Sequence, residues 1–141
     1  MKSIMTTYKL DFTLLKSGNM LVYAKFLNLR REDEIHKQVE LIVDTSASKT
    51  IISQAVFFSL GYRRIKPRSY QMVETYGGYL KCYNFKIPSF NITDGLIVKE
   101  PIVWVPDNPD CMGDIFGQDV LKMYNYYVDN RAFCIYLEPN S

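Results

Sequence analysis

The sequence predicts an all-β fold with two short helices, and three observations carry that expectation. Aromatic residues are abundant, with 11 Tyr and 8 Phe among 141 residues. Together with β-branched residues they recur in short runs suited to a pleated, half-buried surface. Turn residues separate those runs, and two stretches, Ser53 to Tyr62 and Ile115 to Asn125, leave the two-residue period.

The elements follow in order. "YKLDFTLL", Tyr8 to Leu15, alternates, with Leu10, Phe12 and Leu14 on one face of a single strand. Lys16 to Asn19 is a turn. "MLVYAKFLNL" is a second strand, and "RREDE" is a charged hairpin tip with His36 reading as a turn residue just after it. "HKQVELIVD" is a third strand, polar at its start and apolar at its end. In "SQAVFFSLGY" Ser53 is a helix N-cap, Val56, Phe57 and Leu60 share a face, and Gly61 stands where the chain leaves the helix. Arg68 to Ile87 reads as a long hairpin with Gly77-Gly78 near its tip. Phe90 to Pro106 offers two strands broken at Lys99-Glu100-Pro101, and "DNPDCMGD" is a polar loop. "IFGQDVLKMYN" is a strand end, a glycine and a short helix. "YYVDNRAFCIYLEP" is a last hairpin turned at Asp129-Asn130. No repeat or linker interrupts this order, so one domain is expected over residues 1–141.

Composition narrows the function. Net charge is +2, from 17 basic and 15 acidic residues. The basic cluster Arg63, Arg64, Lys66 and Arg68 reads as a solvated loop face, and no nucleic-acid partner is expected. His36 is the single histidine, and Cys82, Cys111 and Cys134 are far apart. That excludes a zinc site of usual spacing, and it leaves only His36 for a Ser-His or Cys-His pair. No metal or cofactor is expected. The odd cysteine count fits a reducing compartment. The first residues, "MKSIMTTYKLDFTLLKSG", lack a long apolar run or a small-residue cleavage site. A stand-alone cytoplasmic protein with no membrane span is the expectation.

The chemistry-bearing stretch is "LIVDTSASKTII", Leu41 to Ile52. A strand buried near its end carries Asp44 to the edge of a core. Taken alone, Asp44-Thr45-Ser46 is an Asx-turn that closes the strand and leads to the helix at Ser53. Three features extend that reading: the apolar residues before Asp44, the glycines at 77 and 78, and the later "DIFGQDVL".

In this order these residues resemble the retropepsin-like aspartic proteases, from about residue 20 to residue 138. The family runs apolar-apolar-Asp-Thr/Ser-Gly-Ala-Ser, a short helix ending Leu-Gly, a flap with glycines, then apolar-apolar-Gly-x-Asp/Asn-apolar-Leu. Here these are Ile42 to Ser48, Leu60-Gly61, Thr75 to Gly78, and Ile115 to Leu121. The resemblance implies a single-lobe acid-protease β-barrel active as a symmetric homodimer. It also implies an aspartic endopeptidase in which each chain contributes Asp44 to a dyad that activates water. Thr45, Ser46 and Ala47 would form the active-site loop, with the Thr45 hydroxyl crossing the dimer axis. Thr75, Tyr76, Gly77, Gly78 and Tyr79 would form the flap over a peptide or protein substrate. Gly117 would pack beneath the site, where a side chain would collide. Asp119 reads as a helix N-terminal charge, and Trp104 as core or pocket wall. Tyr124, Tyr126, Tyr127, Phe133 and Tyr136 would line substrate pockets or fill the dimer core.

One residue departs from the pattern. Ser46 stands where the family has glycine, and it keeps the N–H but adds a Cβ and a hydroxyl. The hydroxyl would donate to the carboxylate and favour a more acidic optimum, or the Cβ would crowd the dimer axis. The alternative function is therefore a catalytically weak or inactive peptide-binding or scaffold protein of the same fold.

Overall fold

The computed structural model describes residues 6–30, 34–75, 77–110 and 113–140. Part of the charged tip (31–33), Tyr76 and Cys111 lie outside the described residues. In chain order the elements begin β1 (Tyr8–Asp11), β2 (Thr13–Leu14), β3 (Met20–Leu27), β4 (His36–Val43) and α1 (Gln54–Ser59). After a 3-10 turn (Tyr62–Arg64) come β5 (Ser69–Thr75), β6 (Gly78–Lys86), β7 (Phe90–Thr93), β8 (Leu96–Val98) and β9 (Ile102–Pro106). The chain continues with β10 (Ile115–Phe116), α2 (Gln118–Leu121), β11 (Tyr124–Asp129) and β12 (Cys134–Pro139).

The strands form three hydrogen-bonded groups: β1-β12-β11, β10-β4-β3-β7-β8 with β2 also on β3, and β5-β6-β9. Isolated bridges from Ile51 to Ile115 and to Trp104 link the second group to the third, so the sheet curls round. Its inner face is the core. Val22, Ala24 and Phe26 of β3 and Val39, Leu41 and Val43 of β4 are buried at alternate positions, as the two-residue side-chain period of a strand requires. Phe26 stacks on Phe90 with centroids 4.3 Å apart. Full burial of such a side chain is worth about 1.5–3 kcal/mol.

α1 covers one opening of this core. The Ser53 hydroxyl accepts the Val56 N–H at 3.2 Å, and Gly61 leaves the helix at φ +80°, a region glycine enters at no steric cost. Phe57 and Leu60 turn inward, and Phe57 packs on Phe85 with centroids 4.5 Å apart. Tyr62 is fully buried, and its hydroxyl donates to Leu27 O at 2.7 Å. Burial holds that phenol well above its ordinary range.

Three expectations change. The first strand is two strands. β1 pairs with β12 and β2 with β3, and at the break the Phe12 N–H donates to Phe133 O at 2.9 Å. Leu10 and Phe12 are buried, whereas both residues of β2 are exposed, Leu14 at 53%, so Leu14 does not share their covered face. The Phe90 to Pro106 stretch holds three strands, because Asp94-Gly95 turns β7 back on β8 with Gly95 at φ +81°. His36 is the first residue of β4, paired with Leu27.

Candidate active site

β4 leads into the site. β10 lies beside it in parallel, with Ile115 opposite Ile42 and Phe116 opposite Val43. The Ile42 N–H donates to Asp114 O at 2.9 Å and the Asp44 N–H to Phe116 O at 3.1 Å. On the other side of β10, Ile51 and Ile115 exchange N–H to O bonds of 2.9 and 2.8 Å. The chain thus leaves β4, loops round the end of β10, and returns along its far side. Residues 44–50 are that loop.

Backbone and side-chain bonds fix the loop to the start of α2. The Ala47 N–H donates to Asp44 O at 3.2 Å, and the Gln118 N–H donates to Ala47 O at 2.8 Å. The Gln118 side-chain amide donates to Thr45 O at 2.9 Å. Gly117 lies directly under the loop in extended backbone that any residue adopts. Space is what excludes a side chain there. A Cβ would collide with the Lys49 carbonyl carbon and oxygen and approach Thr50 N to 2.8 Å.

Thr50 is the polar pin of this junction. It is fully buried. Its hydroxyl accepts the Gly117 N–H at 3.1 Å and donates to Asp119 Oδ1 at 2.9 Å. The same Asp119 oxygen also receives the Thr50 N–H at 2.9 Å and the Val120 N–H at 3.0 Å. Asp119 is therefore in the first turn of α2 and also ties that turn to the return of the loop. Thr50 and Gln118 were not singled out by the sequence, because each acts through a partner about 70 residues away. The only local hint was a threonine set against Ile51 and Ile52.

Asp44 as a residue is half-buried, between exposed Thr45 and Ser46 and the covered strand end. Its Oδ1 accepts two donors from one residue, the Ser46 N–H at 2.9 Å and the Ser46 hydroxyl at 2.6 Å. Oδ2 has no hydrogen-bond donor among the described residues. One oxygen is thus held by the chain's own loop and the other is not. Asp114, on the segment that precedes Gly117, accepts the Ser53 N–H at 2.8 Å. Burial raises its carboxyl above the ordinary range, and the bonds from Ser53 oppose that rise.

The hairpin β5–β6 runs in register from Ser69 opposite Asn84 to Thr75 opposite Gly78. At its end the Thr75 hydroxyl donates to Gly78 O at 2.7 Å, and Gly78 takes φ +123°. Gly77, Gly78 and Tyr79 are exposed. Trp104 is buried in β9, where its backbone N–H donates to Thr50 O at 3.0 Å and its carbonyl accepts from Ile52. Tyr124 is buried, whereas Tyr126, Tyr127 and Phe133 are exposed.

Two surface clefts lie elsewhere. One of about 260 Å³ is lined by residues including Lys9, Tyr23, Lys25 and Asp94, and one of about 480 Å³ by Arg30, Phe58 and Arg63 among others. Neither includes Asp44. The first mixes Lys9 and Lys25 with Asp11 and Asp94, and the charged groups of the second are arginines. Among the described residues no three His, Cys, Asp or Glu side chains group as metal ligands. No described helix is long and apolar enough to cross a membrane.

Residues 35–123, more than half of the chain, match the family described as "gag-polyprotein putative aspartyl protease". The chain belongs to the retropepsin-like aspartic proteases. Its fold agrees with that membership. The crystal structure of a retropepsin-like aspartic protease from Rickettsia conorii is similar to it with a TM-score of 0.66. That similarity covers 99% of this chain and 97% of the other at 17% sequence identity. No curated protein matches the chain. In this retropepsin-like chain, Asp44 stands in the apolar-apolar-Asp-Thr frame, and Gly117 stands in the apolar-apolar-Gly frame.

Proposed function

We propose that the chain is one retropepsin-like domain and acts as an aspartic endopeptidase in a homodimer, each subunit contributing Asp44. The observation that carries this reading is the state of the Asp44 carboxylate. Oδ1 is tied down by Ser46, Oδ2 has no donor among the described residues, and the loop is braced against β10 and α2. A single carboxylate cannot supply both an acid and a base. A two-fold axis beside Asp44 would provide the second from an identical loop.

The two carboxylates would hold one proton between them, because like charges at that distance do not both ionise. The ionised carboxylate takes a proton from water as the water oxygen bonds to the scissile carbonyl carbon. The protonated partner gives its proton to the carbonyl oxygen. Collapse of that tetrahedral centre breaks the C–N bond: the carboxyl that took the water proton gives it to the amine nitrogen, and the other carboxylate takes a proton from the diol, restoring the shared proton. Thr45 would brace the paired loops across the axis. Thr75 to Tyr79 would close over an extended peptide and exclude water. β11 supports the dimer, since it is an edge strand of its sheet and exposes Tyr126 and Tyr127. Two buried thiols, Cys82 and Cys134, fit a reducing, cytoplasmic setting.

Asp44→Asn is the decisive variant. The Asn Oδ1 can accept both bonds from Ser46, so the loop is kept while the base is lost. Peptide hydrolysis is expected to fall at least about 1,000-fold, with the melting temperature and dimer unchanged. Cleavage close to the wild-type rate would overturn the proposal. The short Ser46–Asp44 contact is also what favours the second reading, a peptide-binding protein with weak or no turnover. That reading expects the wild-type chain to bind extended peptides without cleaving them and to ignore a statine-type transition-state mimic.

A further inference from the structure

The two ends of the β5–β6 hairpin are held unequally. Cys82 to Asn84 pair with β5 on one side and β9 on the other, Phe85 and Lys86 pair with β9, and Gly78 to Lys81 pair with β5 alone. The Asp107 N–H donates to Lys81 O at 2.8 Å, and this marks the boundary. Beyond it the hairpin projects from the sheet. Lys81 is thus the hinge position of the projecting part.

Its side chain turns back across that boundary. The Lys81 ammonium lies 4.4 Å from the centroid of the Tyr70 ring and 5.0 Å from that of Tyr83. Tyr70 and Tyr83 are opposite each other in the register, and their rings meet edge to face with centroids 6.5 Å apart. Tyr83 is paired on its other side with Val105 of β9, so the rung that receives the ammonium is in the doubly held part. Ring faces attract a cation, and a cation on two rings from two strands resists any motion that separates projecting from anchored residues.

We infer that Lys81 is a positioning residue whose ammonium, clamped over Tyr70 and Tyr83, limits the swing of hairpin residues 72–75 and 77–80. The inference rests on the flap reading of Thr75 to Tyr79. With the clamp intact, the projecting segment spends more time in one position over bound peptide. Without it, peptide leaves more readily, and the step at Asp44 is untouched.

Hydrogen exchange on the full-length chain tests the clamp directly. In Lys81→Met, which keeps most of the stem and loses the charge, amides of 72–75 and 77–80 are expected to exchange about five-fold faster, a factor within the range of cation–π contacts. Amides of Cys82 to Lys86 are expected to be unchanged, and Lys81→Arg to restore slow exchange. With a cleavable peptide, KM should rise about five-fold in Lys81→Met, with kcat within about two-fold of wild type and KM recovered in Lys81→Arg. Unchanged exchange, equal acceleration at Cys82 to Lys86, or failure of arginine to rescue overturns the clamp. Faster exchange with an unchanged KM overturns its positioning role. The exchange measurement can be repeated in Asp44→Asn, so absence of peptide hydrolysis in the wild type would count against the protease reading alone.

Discussion

The Ser46 hydroxyl donates to Asp44 Oδ1 across 2.6 Å, and the Ser46 N–H donates to the same oxygen across 2.9 Å. One residue therefore fixes the plane of the carboxylate and distinguishes its two oxygens. Of the two consequences expected for a serine here, donation by the hydroxyl is the one this geometry displays. Ser46→Ala keeps the N–H and removes the hydroxyl, leaving a carboxylate with a single donor and more freedom to rotate. Peptide hydrolysis by Ser46→Ala is expected to lose about three- to ten-fold in kcat with KM unchanged, since small misplacements at a reacting group are costly. Ser46→Thr should retain activity. Equal kcat in all three proteins would remove the hydroxyl from the mechanism.

Gly117→Ala tests the packing beneath the loop. The added methyl meets backbone atoms of Lys49 and Thr50, which have no rotamer by which to move aside. Overpacking of this kind costs about 1–3 kcal/mol, and backbone contact puts this site at the upper end. Denaturant unfolding should register that loss, and cleavage should fall with it because the Asp44 loop is displaced. A variant as stable as wild type would mean that β10 and the loop can separate freely.

Asp114 makes stability depend on pH. Its carboxyl is raised in the folded chain, chiefly by burial, and the bonds from Ser53 only partly offset this. The folded state thus keeps a proton that the unfolded chain has already lost. As pH rises from the ordinary value of 3.8, this group's contribution to stability falls until the folded carboxyl has also ionised. Asp114→Asn keeps an acceptor for the Ser53 N–H and carries no charge. It should therefore melt above wild type at neutral pH, with the difference shrinking as pH falls toward the ordinary carboxylate range. A difference that grows on acidification would contradict this assignment.

Local patterns in the sequence were enough for most elements. Ser53 and Gly61 bracket a helix because capping is settled by neighbours a few residues away. The β5–β6 hairpin was legible for the same reason, with glycines at its tip. The break in the first strand was not legible, because a change of sheet at Phe12 has no local signature. Its alternation continues while the partner switches from β12 to β3. The turn at Asp94-Gly95 was visible as a dipeptide, but it was absorbed into a longer apolar run.

By itself the sequence determined that Asp44 ends an apolar strand in a hydroxyl-rich loop, and that a glycine precedes a second short helix. These are properties of adjacent residues. Tertiary structure decided what surrounds that aspartate. It placed β10 between β4 and Ile51, set Gly117 against Lys49, and buried Thr50 between Gly117 and Asp119. Those contacts join residues about 70 positions apart, where chain closure is costly and only the packed core sets the partner. The Ser46–Asp44 bond lies between the two cases. Its residues are two apart, but the loop held by β10 and α2 aims both donors at one oxygen.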